Sequence, residues 1–428
     1  MEFKKVKLGE IAKFNQKSYK SNYNWKTVKY LDTGNLNKNK VENLTTFNLR
    51  KEKLPSRAKR IPQINSILYS TVRPNQEHYG ILENKFDNLL VSTGFTVIDI
   101  YKENINPKYI YYFLTKKDIT AYLQKIAEDS VSTYPAIKPS DIKNLEILLP
   151  NRNNQDKIEQ ILSNLDSKIE INNKIISNLE SQAQAIFKSW FVDFEPFQDG
   201  NFVESELGMI PEGWEVRELK DVSKRINGFS YTSKDIFDES NINMITIKNF
   251  DRNGGLQNDS IKPISKNSRI KKDHYLKTND ILMACTDLTQ KADIIGGVLL
   301  YFENENFDNE IFSMDLIKLV PFEKDDTFFF YYYLKNPIFK LFAENASSGT
   351  TVLHLSKKAV DNFNIVYPTK KHIDRFNDYV FPIIKKQRNL LNQNTKLAEL
   401  RDALLPKLMA GEIDVSNIKI EGEEVKNE

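Results

Sequence analysis

Cysteine, histidine and long apolar runs are scarce in this sequence of 428 residues, and each shortage excludes a class of protein. The single cysteine, Cys285, rules out an internal disulfide and favours a reducing compartment. Because it lies in the apolar run DILMAC, we expect it to be buried in a strand. No segment approaches the roughly 20 apolar residues of a membrane span, and the N-terminus lacks a signal-like stretch. These features predict a cytoplasmic protein.

The usual signatures of catalysis are missing as well. There is no Gly-Lys pair for a phosphate loop and no G-x-G for a dinucleotide turn. The 4 histidines have neither a metal-binding spacing nor cysteine partners, which argues against zinc. The nearest approach to the Asn/Asp-Pro-Pro-Tyr signature of amino-methyltransferases is NPKY at Asn106, which lacks the second proline. We therefore predict no catalytic residue, no metal and no cofactor in this chain.

The second half of the chain repeats the first in order. VKLGEIAKF matches RELKDVSKR, and YLDTGNL matches ITIKNF, which aligns Asn35 with Asn249. Farther along, NSILYS matches NDILMAC, and YIYYFLTKKDI matches FFYYYLKNPIF as an aromatic helix. Residues 130–150 then match 347–368 as a Ser/Thr loop, a short helix and a strand that ends in proline. Such self-similarity predicts an α+β fold with two repeated domains of mixed β-structure and short helices.

A long polar segment follows each of these prolines, with a stripe of mainly apolar residues at alternating steps of four and three. The first stripe consists of Ile158, Leu162, Leu165, Ile169, Asn172, Ile176, Leu179, Ala183, Ile186 and Trp190. The second, 218 positions later, consists of Phe376, Val380, Ile383, Gln387, Leu390, Asn394, Leu397, Arg401, Leu404 and Leu408. Stripes of roughly 50 Å predict two long helices that pair as an antiparallel coiled coil. Two amphipathic helices, each packed on its own domain, are the alternative.

Three details of these helices can be predicted. If the helices pair with their midpoints aligned, Asn172 faces Asn394, and the two form a polar layer that fixes the register. Pro382 predicts a restart of the second helix, and Pro406 a kink or local end. The predicted order of segments is domain 1 over 1–150, the central helix over 151–195, a linker over 196–213, domain 2 over 214–368, the distal helix over 369–411 and a disordered tail over 412–428.

Two basic segments occupy matching places in the repeats. Arg57, Lys59 and Arg60 lie in the first and Arg269, Lys271 and Lys272 in the second, and clustered charge of this kind suits a phosphate-tracking surface. Polar loops follow the next strand of each repeat, with Arg73, Asn75 and Gln76 in one and Thr289, Gln290 and Lys291 in the other. The Ser/Thr loops add Ser132, Tyr134, Ser348 and Thr350. We predict that these residues bind double-stranded DNA, partly through base edges in the major groove. A solvated charged face with ordinary turn residues is the alternative.

Three motifs resemble the specificity subunit of Type I restriction-modification systems. They are AIFKSWFVDFEPF at the end of the central helix, LGMIPEGWEVRELKDV at the start of the second half and LRDALLPKLMAGEI at the end of the distal helix. The order of domain, helix, domain and helix extends the resemblance over essentially the whole chain. In that family each domain is a target-recognition domain that reads one half of a split site, and the helices hold the domains apart.

The resemblance implies a non-catalytic subunit that works with partners. These would be two modification subunits, which methylate adenine with S-adenosylmethionine, and two restriction subunits, which use ATP and Mg²⁺. An antiparallel helix pair relates the repeats by an approximate twofold axis, which suits half-sites of opposite orientation. Because the repeats differ in sequence, the site should be asymmetric, with a non-specific gap. A stand-alone DNA-modifying enzyme and a coiled-coil scaffold without DNA binding are the alternatives.

Overall fold

The fold is described from a computed structural model, which covers residues 1–20, 23–130, 135–237, 240–250, 261–267, 269–303 and 309–418. The chain forms two compact units. Unit 1 combines Met1–Glu170 with Thr395–Glu428, and unit 2 is Ile171–Asn394. Both ends of the chain therefore belong to the same unit.

Unit 1 is built from a mixed set of short strands and helices. Its strands are β1 (Lys4–Lys7), β2 (Ala12–Phe14), β3 (Thr27–Leu31), β4 (Leu36–Asn37), β5 (Lys40–Val41), β6 (Thr45–Asn48), β7 (Ala58–Arg60), β8 (Ile67–Ser70), β9 (Tyr79–Ile81), β10 (Leu89–Ser92), β11 (Phe95–Ile100) and β12 (Glu146–Leu149). Its helices are α1 (Pro107–Leu114), α2 (Lys117–Asp129), α3 (Pro139–Lys143) and the first part of α4 (Arg152–Phe191). The main sheet has the order β2-β11-β8-β9, and a second sheet has the order β6-β3-β10-β7.

Unit 2 contains the remaining elements. Its strands are β13 (Phe202–Ser205), β14 (Gly208–Pro211), β15 (Glu215–Glu218), β16 (Ser223–Asn227), β17 (Ile242–Ile245), β18 (Lys262–Pro263), β19 (Ile281–Ala284), β20 (Thr286–Asp287), β21 (Val298–Leu300), β22 (Asn309–Phe312), β23 (Leu316–Pro321), β24 (Ser347–Ser348), β25 (Leu353–Leu355) and β26 (Asn364–Tyr367). Its helices are α5 (Leu219–Val222), α6 (Thr327–Leu334), α7 (Pro337–Asn345), α8 (Lys357–Asp361), the rest of α4 and the first part of α9 (Lys370–Ala410).

The predicted duplication is confirmed strand by strand. The main sheet of unit 2, β16-β23-β19-β21, repeats the order of β2-β11-β8-β9. A parallel pair, β17 with β22, corresponds to β3 with β10, and the antiparallel pair β15 with β26 corresponds to β1 with β12. Asn35 and Asn249, aligned from sequence, each end a short 3-10 turn after the equivalent strand. The α+β fold class is therefore confirmed as well.

The aromatic helix predicted in each repeat forms the centre of each core. In unit 1, α1 begins where the side chain of Asn106 accepts hydrogen bonds from the backbone N–H groups of Lys108 and Tyr109. In unit 2, α6 buries an almost continuous run from Phe328 to Tyr332. Both helices lie between the main sheet and the long helices, which explains why they are apolar on every side.

The segment predicted as a linker, 196–213, contains secondary structure. Strands β13 and β14 pair as a hairpin, and Ile210 of that hairpin is buried. Phe197 and Trp214 pack edge to face, with ring centroids 5.1 Å apart. The Trp214 indole also donates a hydrogen bond to Nδ1 of His372, at 2.9 Å. Aromatic anchors thus fix this segment at the base of domain 2.

The two long helices are continuous, at 40 residues for α4 and 41 for α9. Because α9 includes both prolines, the predicted restart at Pro382 and local end near Pro406 are wrong, while a kink at Pro406 stays a prediction. Both lie on the exposed side of the helix, where water can hydrate the carbonyl groups that proline leaves unbonded. Buried neighbours such as Val380, Ile384 and Leu408 hold the helix on either side. It ends at Ala410, and the next residue, Gly411, has a φ of +75° suited to glycine.

The helices share a seam within unit 2. Asn172 is fully buried and donates hydrogen bonds to the side-chain oxygens of Asn394, at 2.8 Å, and Gln393, at 2.9 Å. Asn394 donates in turn to Asn173, at 2.8 Å. The predicted pairing of Asn172 with Asn394, and with it the antiparallel coiled coil, is confirmed. All the predicted stripe residues are buried or half-buried, whereas Ile171 and Ile175, beside the stripe, are exposed.

The same helices also meet within unit 1. Arg401 of α9 donates to Asp166 of α4 at 2.7 Å, and Asp166 also accepts from the hydroxyl of Tyr112 on α1, at 2.7 Å. The segment that follows α9 also packs within unit 1, although the predicted disordered tail begins at residue 412. Val415 is fully buried, and Lys157 donates to the carbonyl of Ser416 at 3.0 Å. The rest of the predicted tail, 419–428, lies outside the described residues.

An ion pair ties the helices of unit 2 to the domain. Glu180 of α4 accepts from Lys335, at the end of α6, at 2.6 Å, from Gln387 of α9 at 3.1 Å and from the hydroxyl of Tyr332 at 3.3 Å. Burial alone would raise the pKa of Glu180, but the charge and hydrogen bond of Lys335 outweigh it and hold the pKa below its ordinary value. The carboxylate therefore stays ionised where three helices meet.

Replacing Asn172 and Asn394 by leucine, singly and together, tests how much their hydrogen bond contributes to the free energy of unfolding. We expect Asn394→Leu alone to lower the free energy of unfolding by about 1 kcal/mol, because the buried Asn172 amide loses an acceptor. The double variant with Asn172→Leu should be at least as stable as wild type, since the atoms that then lose a partner, on Asn173 and Gln393, belong to exposed residues that water can hydrate. Urea unfolding of the four proteins in the cycle measures this. A double variant less stable than Asn394→Leu alone would contradict the role of the layer.

Removal of Glu180 should be strongly destabilising. We expect Glu180→Ala to lower the free energy of unfolding by about 2 kcal/mol, because the half-buried Lys335 is left without its counter-charge. The pKa of Glu180 is depressed in the folded chain, so its contribution is complete at neutral pH. It is lost as the pH falls below the ordinary glutamate value and through the lower folded value. Thermal unfolding between pH 3 and pH 7 tests this, with the exposed Asp378→Ala on α9 as control. A pH-independent difference from wild type would contradict it.

Candidate nucleic-acid interface

The basic segment of unit 1 lies on an edge strand. Arg57 and Lys59 are exposed on and beside β7, which forms the edge of the second sheet. Arg60, on the same strand, is half-buried, and its guanidinium donates to the side-chain oxygen of Asn15. That oxygen also accepts from the backbone N–H of Val97, at 2.9 Å. Arg57 and Lys59 can therefore reach a phosphate, whereas Arg60 also supports the fold.

The polar loop of unit 1 has a defined shape. Arg73, Asn75 and Gln76 are exposed around a 3-10 turn whose first residue, Pro74, is buried. Arg73, with a φ of +46°, has the left-handed backbone that non-glycine residues rarely adopt. Its backbone N–H donates to the carbonyl of Pro135 at 2.9 Å, and that of Asn75 donates to the Gln124 side chain at 3.1 Å. These bonds hold three predicted DNA-binding side chains at one surface.

The turn between β10 and β11, two strands that belong to different sheets, brings the loop and the basic segment together. The backbone N–H of Thr93 donates to the carbonyl of Arg57 at 2.9 Å, and the next residue, Gly94, accepts from the backbone of Thr71 at 2.8 Å. Segments that are separate in sequence thus meet on either side of the turn between β10 and β11. The predicted residues Ser132 and Tyr134 lie outside the described residues.

The basic segment of unit 2 likewise combines exposed residues with one that bonds to the protein itself. Lys271 and Lys272 are exposed. Arg269 forms an ion pair with Asp235 and stacks over the ring of Phe229, 5.2 Å from its centroid. The hydrogen bond from Arg269 lowers the pKa of Asp235 to about 2. Arg269 therefore has a structural partner that its sequence context did not reveal.

The polar loop of unit 2 lies beside the Ser/Thr loop. Strands β20, β25 and β24 form a small sheet in the order β20-β25-β24, which places the loop after β20 next to the turn between β24 and β25. The side chain of Gln290 donates to the carbonyl of Thr350 at 3.1 Å. Gln290, Lys291, Ser348 and Thr350 are exposed, and Thr289 is half-buried. The structure brings all five predicted residues together, although their contact with DNA stays a prediction.

The equivalent turn, between β22 and β23, again lies between the two segments. The backbone N–H of Met314 donates to the carbonyl of Phe229 at 2.9 Å. Arg269 of the basic segment stacks over the ring of the same phenylalanine. The carbonyl of the next residue, Asp315, accepts from the backbone N–H of Cys285 at 2.8 Å, just before the polar loop. Both repeats thus use the same element to join a basic segment to a polar loop.

Two residues of this region were not predicted from sequence. Asp287 and Lys340 bond to the backbone of the loop after β20, and neither is part of a motif. Cys285, by contrast, is buried as expected, and burial raises the pKa of its thiol to about 12, which makes it unreactive at neutral pH. Across the described ranges, no cluster of histidine, cysteine, aspartate or glutamate is arranged to hold a metal ion.

Comparison with known families identifies the chain. Residues 1–181 and 211–397 match the family described as the Type I restriction modification DNA specificity domain, with one match for each repeat. The chain belongs to this family. The resemblance predicted from the helix-end motifs is therefore confirmed, and membership makes the chain a non-catalytic specificity subunit, as its sequence predicted.

The relatives and the solved structure that match this chain cover most of its length. The HindI specificity subunit of Haemophilus influenzae is 27% identical over 474 residues, covering 96% of this chain and 100% of that protein. The MjaIX specificity subunit of Methanocaldococcus jannaschii is 30% identical over 336 residues, covering 77% of this chain and 74% of that protein. The crystal structure of the Type I system S subunit from M. genitalium superposes with a TM-score of 0.50 at 15% identity and 96% coverage of each chain.

Within the described part of this chain, no helix combines the length and apolarity of a membrane span.

The split between exposed and bonded basic residues can be tested with random duplex DNA. We expect Arg57→Ala and Lys59→Ala each to weaken binding and to reduce the slope of log affinity against log salt by about 1, because each removes one phosphate contact. The thermal unfolding midpoints of these two variants should not change. Arg269→Ala, by contrast, should both weaken DNA binding and lower the unfolding midpoint, since Asp235 loses its ion-pair partner. Unaltered salt slopes for both Arg57→Ala and Lys59→Ala would show that DNA does not contact this segment.

Proposed function

We propose that this chain gives a Type I restriction-modification complex its DNA sequence specificity by reading a bipartite site. Each repeat reads one half-site with its polar loop, while the basic segment beside the loop contacts phosphates. The observation that carries this proposal is the recurrence, in both units, of an exposed polar loop joined to a basic segment through the equivalent turn, between β10 and β11 in unit 1 and between β22 and β23 in unit 2. Phosphate contacts fix register on the duplex, and base contacts supply selectivity.

The two half-sites differ in this proposal. The exposed side chains of the first loop are Arg73, Asn75 and Gln76, whereas the second loop presents Gln290 and Lys291 beside Thr350. Different donor and acceptor groups match different base edges in the major groove. The recognised sequence is therefore asymmetric, and the helix pair sets the length of the gap between its halves.

The helices also serve as the docking surface for modification subunits. Ile171 and Ile175 on α4, and Tyr379 and Phe381 on α9, are large apolar side chains that stay exposed on the helices. Exposed apolar side chains grouped along a rigid element suit a protein partner better than solvent. We propose two modification subunits, which bring S-adenosylmethionine, and two restriction subunits, which bring ATP and Mg²⁺. Within this scheme, the chain itself needs no cofactor.

Mapping of methylated adenines tests the proposal directly. The chain is expressed with its modification subunit, and methylated adenines in genomic DNA define the recognised sequence. We expect one asymmetric bipartite site. Arg73→Ala should relax selectivity in one half-site and Lys291→Ala in the other, each by about 1 to 3 kcal/mol in discrimination. Lys168→Ala, an exposed change on α4, is the control. A continuous recognition site, or selectivity unaltered in both loop variants, would contradict the proposal.

A further inference from the structure

We propose that Asp287 and Lys340 are positioning residues of the second repeat, which hold the loop over 288–294 in the shape that reads its half-site. This inference rests on the proposed function and extends it to residues that do not themselves face DNA. Two independent sets of contacts carry it, one made by Asp287 and the other by Lys340.

Asp287 joins the two ends of the loop. It is only 1% exposed. One carboxylate oxygen accepts from the backbone N–H of Thr289, at 2.8 Å, and from the Thr289 hydroxyl, at 3.0 Å. The other oxygen accepts from the backbone N–H of Ile294 at 2.8 Å. The carboxylate thus bridges the two ends of the loop, with Thr289 near its start and Ile294 at its end.

The charge of Asp287 is kept by the loop itself. Burial alone would raise the pKa of Asp287, but hydrogen bonds from the backbone N–H groups of Ile294 and Thr289 outweigh it and lower the pKa. A carboxylate that accepts several backbone N–H groups in this way binds the loop more strongly than a neutral acceptor would.

Lys340 holds the same loop from the side of α7. Its ammonium group donates to the backbone carbonyls of Ala292 at 2.5 Å, Ile295 at 2.7 Å and Asp293 at 3.3 Å. An ammonium has three donors, and here three backbone carbonyls at the end of the loop accept them. Ala292 has a φ of +55°, so the backbone bends here into a conformation that needs support.

The residues proposed to read DNA lie between these two supports. Gln290 and Lys291 are exposed, and Gln290 is directed by its bond to the carbonyl of Thr350. Base recognition needs donors and acceptors held in fixed geometry, and a loop that is ordered before binding loses less conformational entropy on the DNA. Phosphate contacts tolerate looser geometry. Loss of Lys340 should therefore reduce specific recognition more than general DNA affinity.

The first repeat uses a different support. Its polar loop is bound by helix α2, the counterpart of α7, through one hydrogen bond from the backbone of Asn75 to the side chain of Gln124. Lys340 aligns with no lysine there, since the corresponding position of α2 is Thr120. A change at Lys340 should therefore affect only the half-site that the second repeat reads.

The first experiment measures the loop without DNA. The full-length chain and its Lys340→Met, Lys340→Arg and Glu344→Ala variants are treated with trypsin, and cleavage after Lys291 is followed by mass spectrometry. We expect Lys340→Met to be cut at least several-fold faster there, with cleavage after Lys59 in unit 1 unchanged. Lys340→Arg should restore slow cleavage, because arginine still donates to carbonyl groups. Glu344→Ala, which removes the neighbouring acid on α7, should match wild type. Equal cleavage in wild type and Lys340→Met would overturn the inference.

The second experiment measures recognition in the complex with the modification subunit. Affinities are compared for DNA with the mapped site, DNA altered in the first half-site and DNA altered in the second. We expect Lys340→Met to reduce discrimination at one half-site by about tenfold and to leave the other unchanged, with recovery in Lys340→Arg. Asp287→Ala should lose discrimination at the same half-site as Lys340→Met. Equal losses at both half-sites, or none, would overturn the inference. If wild type discriminates at neither half-site, the proposed function fails, whatever the trypsin result.

Discussion

The shared seam of the two long helices is the constraint on which the rest of the structure depends. Within each unit, α4 and α9 pack along predicted stripe positions and exchange polar contacts, through Asn172 and Asn394 in one and Asp166 and Arg401 in the other. The same helices are bonded to the domains by equivalent tyrosines. Tyr112 donates to Asp166 and Tyr332 to Glu180, both acids of α4. A domain held in this way by buried, partly charged contacts cannot turn on its helices without breaking them. Rigid attachment of each reading domain to a shared helix pair is what a fixed spacing between half-sites requires.

The two repeats combine one framework with different surfaces. Sheet order, the parallel strand pair and the aromatic helix recur, so the backbone delivers a basic segment and a polar loop to the same place in each unit. The exposed side chains at that place differ, and so do the groups that support them, with Gln124 in one repeat and Asp287 with Lys340 in the other. A framework fixed by packing can therefore carry two readers of different sequence, because the loop side chains contribute little to the core.

Periodicity and repetition made the architecture predictable. Heptad spacing locates the seam, and alignment of the repeats predicts the pairing of Asn172 with Asn394, because both signals depend on local apolar patterning.

The features that the sequence does not predict depend on tertiary contacts. Pro382 and Pro406 do not interrupt α9, since buried neighbours outweigh the loss of one backbone hydrogen bond. The hairpin of β13 and β14 within the predicted linker has no signal in sequence, because its anchors, Phe197 and Trp214, contact residues distant in sequence. The candidate interface was predicted by residue type, but the bonds of Arg60, Arg269 and Lys340 have no signal in sequence, since their partners lie 34 or more positions away.

Tolerance to gap length tests the central claim most directly. Once the two half-sites are known, methylation by the complex is measured on DNA duplexes in which identical half-sites are separated by gaps from three base pairs shorter to three base pairs longer than the natural one. Helices held by a shared seam predict efficient methylation at one gap length and a steep loss at neighbouring lengths, because each added base pair both lengthens and rotates the duplex. Comparable methylation across several gap lengths would contradict the account, since it would mean that the reading domains are not held at a fixed separation.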